Sequence, residues 1–287
     1  MTAQQHDAQG ESRTASQAGM QAGDGTIGKA VTVLDLVAGF ERPVRFNELR
    51  ARSDYPKATL YRLLQTLTNQ GLLAHDSERQ TYAPGLRLMR LAHAAWQQSS
   101  LAPVARPHLA RLAARAQETV HLAQLDAGQV LYVDKRVPSQ PIEMFSQAGK
   151  VGPAHCTGVG KAMLAFLEPA ALDRTVALQS FYRFTPQTIT EADALRAELA
   201  AIRAAGFAFD REEHEPGIIC VAVPILTARD RVIGALSVTS VTARKTLNDL
   251  EAMVPLLREA AAHISRDMEA WRFPDEGQAR DKGERNV

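Results

Sequence analysis

The segment PKATLYRLLQTLTN, residues 56–69, constrains the fold more than any other part of the chain. Its leucines recur at i, i+3, i+4 and i+7, the spacing that places apolar side chains on one face of a helix: Leu60, Leu63, Leu64 and Leu67. Because a helix turns by about 100° per residue, the opposite face carries a small and polar set. That set is Ala58, Arg62, Gln65 and Asn69, flanked by Thr59, Tyr61 and Thr66. The pattern predicts an amphipathic helix with an exposed polar face.

The flanking segments extend this helix into a small domain. Upstream, FNELRARSD at 46–54 predicts a short helix with Asn47 as its N-cap. Downstream, GLLAHDSERQTYAPG at 71–85 predicts two strands joined by a polar turn, whose tip is Ser77-Glu78-Arg79. Two helices joined by a tight turn and followed by such a hairpin are typical of a winged helix-turn-helix.

The charge distribution points to a polyanionic partner for the same region. The 287 residues carry 33 basic and 32 acidic side chains, yet residues 26–90 hold ten basic and six acidic ones. An arginine, amides and hydroxyls on one helix face can read base edges in double-stranded DNA. A merely solvated helix face is the alternative, and the charge excess, short helix and hairpin together favour DNA. The predicted DNA contacts are Asn47, Lys57, Ala58, Thr59, Tyr61, Arg62, Gln65 and Arg79.

The remaining composition excludes several classes of protein. Residues 1–25 and 272–287 hold few large apolar side chains, which predicts disordered tails. No apolar run approaches the ~20 residues that span a bilayer. The first residues also lack the features of a signal peptide, so we expect a cytoplasmic protein with no membrane partner. The only cysteines are Cys156 and Cys220, which excludes a disulfide scaffold and cysteine-rich zinc modules. We expect no metal and no cofactor.

Residues 86–98 predict a linker helix, and residues 99–271 alternate between helix and strand signals. Strands are predicted at 119–125, 129–135, 141–145, 207–210, 218–225 and 232–240. Helices are predicted at 101–117, 161–167, 192–206 and 246–271. Antiparallel strands with helices at their ends describe an α+β domain.

Two patterns in this domain predict a small-molecule site. In AHCTGVGKAMLAFL, Gly158 and Gly160 lead into an apolar helix with Thr157 as N-cap, and the N–H groups at a helix start bind carboxylates. A glycine turn that only caps the helix is an equal alternative. Ser237 and Thr239 lie two residues apart in a strand and therefore share a face. Their hydroxyls need partners, either a polar ligand or neighbouring backbone.

Residues 26–270 together resemble the isocitrate-lyase-regulator (IclR) family of bacterial transcription factors. The resemblance rests on IGKAVTVLDLVAG, FNELRARSDYPKATLYRLLQTLTNQGLL, AHCTGVGKAMLAFL, GFAFDREEHEPGIICVAVPI and VIGALSVTS, which occur in family order. One departure is Ala58, where family members often have serine.

The resemblance implies a ligand-responsive regulator with a winged helix-turn-helix at 26–85, a linker helix at 86–98 and a GAF-like effector domain at 99–271. It also implies a homo-oligomer, a dimer or dimer of dimers, that binds a palindromic operator and a small organic acid. Carried over by position, the effector would be held by Gly158, Val159, Asp210, Cys220, Ser237 and Thr239. Met144 and Val151 would form an apolar wall, and His155 would support the glycine turn.

Two alternatives rest on the cysteines. A cysteine-dependent enzyme needs a base within reach of the thiol, and Cys220 lies between apolar Ile219 and Val221, an inert setting. The His214-Glu215-Pro216 segment lacks a second histidine at metal-ligand spacing. We therefore expect no enzyme, and a redox regulator that uses Cys156 and Cys220 is the second hypothesis.

Overall fold

The computed structural model describes residues 25–40, 42–99, 101–137 and 144–272. The chain divides into two compact units between Ser99 and Ser100. The predicted tails, apart from Gly25 and Arg272, and residues 141–143 of a predicted strand lie outside the described residues. Within the described part, no helix is long and apolar enough to cross a membrane.

The first unit contains the predicted helix pair and hairpin. Its elements are α1 (Gly25–Ala38), β1 (Val44–Arg45), α2 (Phe46–Ala51), α3 (Lys57–Asn69), β2 (Leu73–Asp76), β3 (Thr81–Pro84) and α4 (Leu86–Ser99). The strands pair antiparallel in the order β1-β3-β2. The winged helix-turn-helix is therefore confirmed, and the predicted linker segment is helical as α4.

The leucine stripe of α3 forms the centre of this unit. Its four leucines are buried and pack against one cluster of apolar residues: Val33, Val37, Val44, Leu49, Leu73 and Tyr82. Burying one leucine side chain contributes about 1.5–3 kcal/mol to the free energy of unfolding. The stripe therefore fixes which face of α3 remains exposed.

The predicted N-cap of α2 is wrong. The cap is Arg45, whose backbone is extended, while Asn47 is exposed inside the helix. The carboxylate of Glu48 accepts a hydrogen bond from the Arg45 N–H at 3.1 Å, because a glutamate three residues after the cap can reach back to it. Hydrogen bonding from Arg42 lowers the pKa of Glu48 to about 2.

The second unit is an α+β domain, as predicted. Its helices are α5 (Ala102–Ala116), α6 (Gly158–Leu164), α7 (Pro169–Ala177), α8 (Ala192–Ala205), α9 (Leu247–Glu251) and α10 (Val254–Arg272). Its strands are β4 (Thr119–Asp126), β5 (Gln129–Arg136), β6 (Val151–Gly152), β7 (Ala208–Arg211), β8 (Ile218–Leu226) and β9 (Val232–Val241). They form one antiparallel sheet in the order β6-β5-β4-β9-β8-β7.

Two predicted elements need correction, and one helix was missed. Met144 and Phe145 are not in a strand, and the edge strand beside β5 is β6 instead. The predicted helix 246–271 is two helices, because Pro255 fits only the first turn of a helix and a new helix begins at Val254. Helix α7 was not predicted, although Pro169 occupies the first-turn position that favours proline.

Strand register brings the polar residues of the second unit together. Cys220 lies opposite both Asp210 on β7 and Thr239 on β9, and Ser237 lies opposite His121 on β4. Residues directly opposite in antiparallel strands point to the same side of the sheet. Apolar residues of α6 pack on that side in one core cluster with Ala123, Ala208 and Ala222. A polar patch thus lies between the sheet and the start of α6.

Candidate functional site

The polar face of α3 is exposed, as its period predicts. Lys57, Ala58, Tyr61, Arg62 and Gln65 are exposed, and Thr59 is half-buried. The guanidinium, amide and hydroxyl groups that could contact base edges therefore stand on the solvent side of the leucine stripe.

Tyr61 combines exposure with a structural contact. Its side chain is 53% exposed, and its ring meets the Phe46 ring edge to face with the centroids 6.1 Å apart. Such aromatic pairs add about 0.5–1.5 kcal/mol beyond their buried area. Tyr61 therefore holds α2 against α3, beside the exposed Asn47.

The turn between β2 and β3 is built by one carboxylate. Asp76 Oδ1 accepts hydrogen bonds from the backbone N–H groups of Glu78 and Arg79 at 2.9 and 3.0 Å. Gln80 completes the turn with a left-handed backbone at φ +53°. The Arg79 side chain is 81% exposed and reaches Asp76 only at 4.0 Å, so it projects from the tip of the hairpin.

The second unit contains a small cavity of about 30 Å³ between the sheet and the first turn of α6. Seven of the eight predicted effector residues line it: Met144, Gly158, Val159, Asp210, Cys220, Ser237 and Thr239. Seven more lining residues were not predicted: His121, Tyr132, Ser146, Thr157, His214, Glu215 and Ile218.

Val151 is the predicted effector residue that does not line the cavity. It lies on the edge strand β6 with 44% of its side chain exposed. Successive strand residues point to opposite faces, so its neighbour Gly152 takes the inward position. A Cβ at Gly152 would lie 3.2 Å from the ring of Tyr132. Tyr132, and not Val151, lines the cavity next to this strand.

The glycines in the first turn of α6 serve close packing. A Cβ at Gly158 would lie 2.4 Å from Cys220 Sγ, and one at Gly160 would lie 2.4 Å from the Ala154 carbonyl oxygen. Thr157 is the N-cap, as predicted, and its Oγ1 accepts from the Gly160 N–H at 3.3 Å. The N–H of Val159, in the first turn beside the cavity, has no acceptor within its own helix.

The hydroxyls of Ser237 and Thr239 face a histidine. Each lies 3.3 Å from His121 Nδ1, and Ser146 Oγ lies 2.7 Å from His121 Nε2. Burial and then the positive charge of Lys135 lower the pKa of His121 to about 3, so the imidazole is neutral. The partner of the two hydroxyls is thus a buried side chain, which neither sequence-based alternative included.

The other polar side of the cavity is acidic. Asp210 is 6% exposed, and its Oδ1 accepts from the Glu213 N–H at 2.8 Å. Burial and then the Glu213 carboxylate raise the pKa of Asp210 to about 7. Lys161, which is fully buried, pairs with Glu213 and with Glu198. Among the described residues that line the cavity, none is lysine or arginine.

His155 lies beside the glycine turn rather than in the cavity wall. It is fully buried, its Nε2 lies 3.4 Å from the Tyr182 carbonyl oxygen, and its ring packs on Phe181. This position agrees with a supporting role for the turn before α6.

The cysteines do not favour thiol chemistry. Cys156 and Cys220 are free and buried, and burial is the main cause that raises the pKa of both thiols. A raised pKa disfavours the thiolate that redox and nucleophilic chemistry require. In the described part of the chain, no group of three His, Cys, Asp or Glu side chains could hold a metal ion.

A winged helix-turn-helix and a separate unit with a polar cavity define a ligand-responsive DNA-binding regulator. The family model for the IclR helix-turn-helix domain matches residues 26–77. The model for the C-terminal part of the bacterial transcriptional regulator IclR matches residues 93–266. The chain belongs to the IclR family of transcriptional regulators.

Individual relatives agree with this assignment. The HTH-type transcriptional regulator BhcR of Paracoccus denitrificans is 34% identical, over 84% of this chain and 86% of the relative. The crystal structure of Thermotoga maritima IclR superposes with a TM-score of 0.68 at 30% identity, covering 85% of this chain and 98% of that one. An IclR homologue of Microbacterium hydrocarbonoxydans, crystallised with 4-hydroxybenzoate, has a TM-score of 0.74 at 26% identity, covering 85% and 99%.

Proposed function

We propose that this protein is a transcriptional regulator whose operator affinity changes when a small organic acid occupies the cavity of the second unit. The cavity carries the proposal. It collects backbone N–H groups, hydroxyls and a neutral histidine inside an otherwise apolar core. Ligand sites are enclosed spaces with a few convergent polar groups of this kind. The relative crystallised with 4-hydroxybenzoate supports an acid as the ligand.

The acid would place its carboxylate at the start of α6. The Val159 N–H borders the cavity without an intrahelical acceptor. Ser237 and Thr239 offer hydroxyls from the facing sheet, and Asp210 and Cys220 border the same space. Met144 supplies an apolar contact. An anion fits beside Asp210 only when that carboxyl is protonated, and its raised pKa of about 7 makes this protonation accessible.

DNA would be read by the exposed face of α3, with Arg62 and Gln65 at base edges and Arg79 at the tip of the hairpin. Lys57, Ala58, Thr59, Tyr61 and Asn47 would complete the contacts. One such module makes few phosphate contacts, so specific binding requires at least a dimer on a palindromic operator. A regulator of chromosomal DNA acts in the cytoplasm.

The ligand would act through the difference in its affinity for DNA-competent and DNA-incompetent arrangements of the protein. Helix α4 connects the two units along the chain and is the proposed transmission element. Three of its apolar side chains are exposed within the chain: Leu86, Met89 and Leu91.

A thermal-shift screen followed by DNA titration tests the proposal. The full chain is screened against glyoxylate, pyruvate, succinate and 4-hydroxybenzoate, with the matching neutral amides as controls. An acid that binds the folded state must raise the midpoint of unfolding, whereas its amide must not. The same acid must then change the affinity for the operator. A stabilising acid that leaves operator affinity unchanged at matched salt contradicts the regulatory role.

A further inference from the structure

Helices α3 and α4 meet at a corner, although the hairpin of β2 and β3 separates them along the chain. The corner consists of the C-cap residue of α3, the two residues of the turn after it, and two residues at the start of α4: Gln70, Gly71, Leu72, Gly85 and Arg87. All of them belong to the first unit. The start of α4 therefore lies against the end of the helix that is proposed to read DNA.

The backbones touch at this corner because both turns contain glycine. Gly71 has a left-handed backbone at φ +69°, which glycine adopts without strain. The Gly85 N–H donates to the Leu72 carbonyl oxygen at 2.8 Å, which continues the hydrogen-bond ladder of the hairpin. A Cβ at Gly85 would lie 2.2 Å from the Gly71 carbonyl oxygen, so no larger residue fits there. The start of α4 is thus attached to the turn that follows α3.

The Arg87 side chain extends this attachment to α3 itself. Its Nη1 donates to the Gln70 carbonyl oxygen at 2.8 Å and to Gln70 Oε1 at 3.0 Å. The last carbonyl groups of a helix lack partners within the helix and carry partial negative charge, which a nearby cation stabilises. The Arg87 N–H also donates to the Gly71 carbonyl oxygen at 3.3 Å. Arg87 therefore spans the glycine turn, from the first turn of α4 to the C-cap of α3.

A corner with two glycines can act as a hinge, because a few residues between elements can absorb a large change of backbone angles. Rotation about Gly71 and Gly85 would let α4 change direction while α3 stays in place. The guanidinium of Arg87 opposes this rotation, since the rotation would break its hydrogen bonds to Gln70. The hairpin is attached to the same turn and would move with both helices.

We propose that Arg87 holds this corner rigid and is the positioning residue through which a displacement of α4 reorients α3 together with the β2–β3 hairpin. The proposal rests on the effector-dependent DNA binding proposed above and names the contact that carries the regulation into the first unit. Without the guanidinium, a displacement of α4 would be absorbed at the two glycines. Arg87 does not line the cavity, so the acid should still bind.

Operator titrations of the full chain with and without acid measure this coupling. Glyoxylate, pyruvate, succinate and 4-hydroxybenzoate are each added at saturating concentration and matched salt. For the wild type, the acid that stabilises the protein should change operator affinity by roughly 5–150-fold, the usual range of allosteric coupling. For Arg87→Ala, which keeps a strong helix former in α4, the change should fall to about twofold or less. Isothermal titration of the DNA-free variant should show the wild-type affinity for the acid.

Arg90→Ala is the matched control. Arg90 is an exposed arginine three residues further along α4, and within the described residues it makes no hydrogen bond or ion pair. Each variant loses one positive charge, so the two should lose similar affinity for unrelated DNA. Arg90→Ala should keep the wild-type response to the acid. A wild-type response in Arg87→Ala, or an equal loss of response in both variants, overturns the proposal.

Hydrogen exchange tests the rigidity of the corner without any ligand. The N–H groups of Gly85 and Arg87 are bonded across the corner, and Gly85 is buried. Peptides that cover residues 84–89 should exchange about fivefold faster or more in Arg87→Ala, and at the wild-type rate in Arg90→Ala. Unchanged exchange in Arg87→Ala overturns the proposal. If no acid alters the operator affinity of the wild type, the proposed function fails while the exchange result still stands, so the two failures are distinguishable.

Discussion

The exposed face of α3 and the cavity of the second unit are both polar, but they are polar in different ways. The α3 face consists of adjacent turns of one helix and stands in solvent. The cavity consists of residues from six separate segments, and several of its polar groups are buried and bonded to one another. Exposed groups keep their hydrogen-bonding capacity for a partner at little cost to folding, whereas buried groups affect folding and binding together. The two regions should therefore respond differently to the same kind of substitution.

The largest difference in stability between variants of the two regions should come from Lys161, a fully buried charged residue of α6. Lys161→Met leaves Glu213 buried, with Arg211 as its nearest remaining cation at 3.9 Å. Removing one partner of a buried ion pair costs about 3–5 kcal/mol. Chemical denaturation should show this loss, whereas Arg62→Ala on the α3 face should change the free energy of unfolding by about 0.5 kcal/mol or less. Similar losses in the free energy of unfolding for Lys161→Met and Arg62→Ala would contradict the expected difference between buried and exposed groups.

Arg62→Ala should instead weaken specific operator binding by about 1–3 kcal/mol, because a bidentate contact to guanine would be lost. Fluorescence anisotropy at fixed salt measures the effect. Arg196→Ala serves as the control, since Arg196 is an exposed arginine of the second unit that pairs with Asp173 at 2.8 Å. An operator affinity that is identical in Arg62→Ala and Arg196→Ala would exclude Arg62 from base reading.

The raised pKa of Asp210 predicts a pH dependence of stability. A carboxyl whose pKa is about 7 when folded and near 4 when unfolded favours folding below about pH 4. That contribution is lost as the pH rises through 7. Asp210→Asn can still accept from the Glu213 N–H, and it should be more stable than wild type by up to about 4 kcal/mol at pH 8. The difference between the two should shrink toward pH 4. A stability difference between Asp210→Asn and wild type that stays constant from pH 4 to pH 8 would contradict the raised pKa of Asp210.

The smallest effect should come from the hairpin tip. Arg79→Ala removes an exposed side chain whose own ion pair with Asp76 is long, at 4.0 Å. If Arg79 contacts a phosphate, Arg79→Ala should lose a similar amount of affinity for the operator and for unrelated DNA. The slope of log affinity against log salt concentration should then decrease in magnitude by about one. A loss confined to the operator would assign Arg79 to base reading instead.

The difference between a face of one helix and a cavity built from several segments also explains what the sequence could predict. The faces of α3 follow from the helix period alone, so the spacing of the residues is enough to assign Leu60 and Arg62 to opposite sides of the helix. Ser237 and Thr239 could likewise be placed on one side of their strand. The hairpin of β2 and β3 needed only local turn signals.

The register between strands distant in sequence could not be predicted. His121 lies opposite Ser237 although 116 residues separate them along the chain. Its strand position was predicted, but nothing local marks it as facing Ser237. The packing role of Gly158 was equally hidden, because it depends on the sulfur of Cys220 on another element. The position of Val151 outside the cavity wall was hidden for the same reason, since its exposure depends on the position of β6 at the sheet edge.

A crossed titration tests the central claim most directly, namely that α3 reads DNA and the cavity binds the acid. Wild type, Arg62→Ala and Ser237→Ala are titrated with the operator alone and with the acid that stabilises the wild type. Arg62→Ala should lose operator affinity and keep its affinity for the acid. Ser237→Ala should keep operator affinity without the acid and bind the acid about ten- to a hundredfold more weakly. Loss of both affinities in either variant, or a Ser237→Ala protein with wild-type affinity for the acid, would contradict the account.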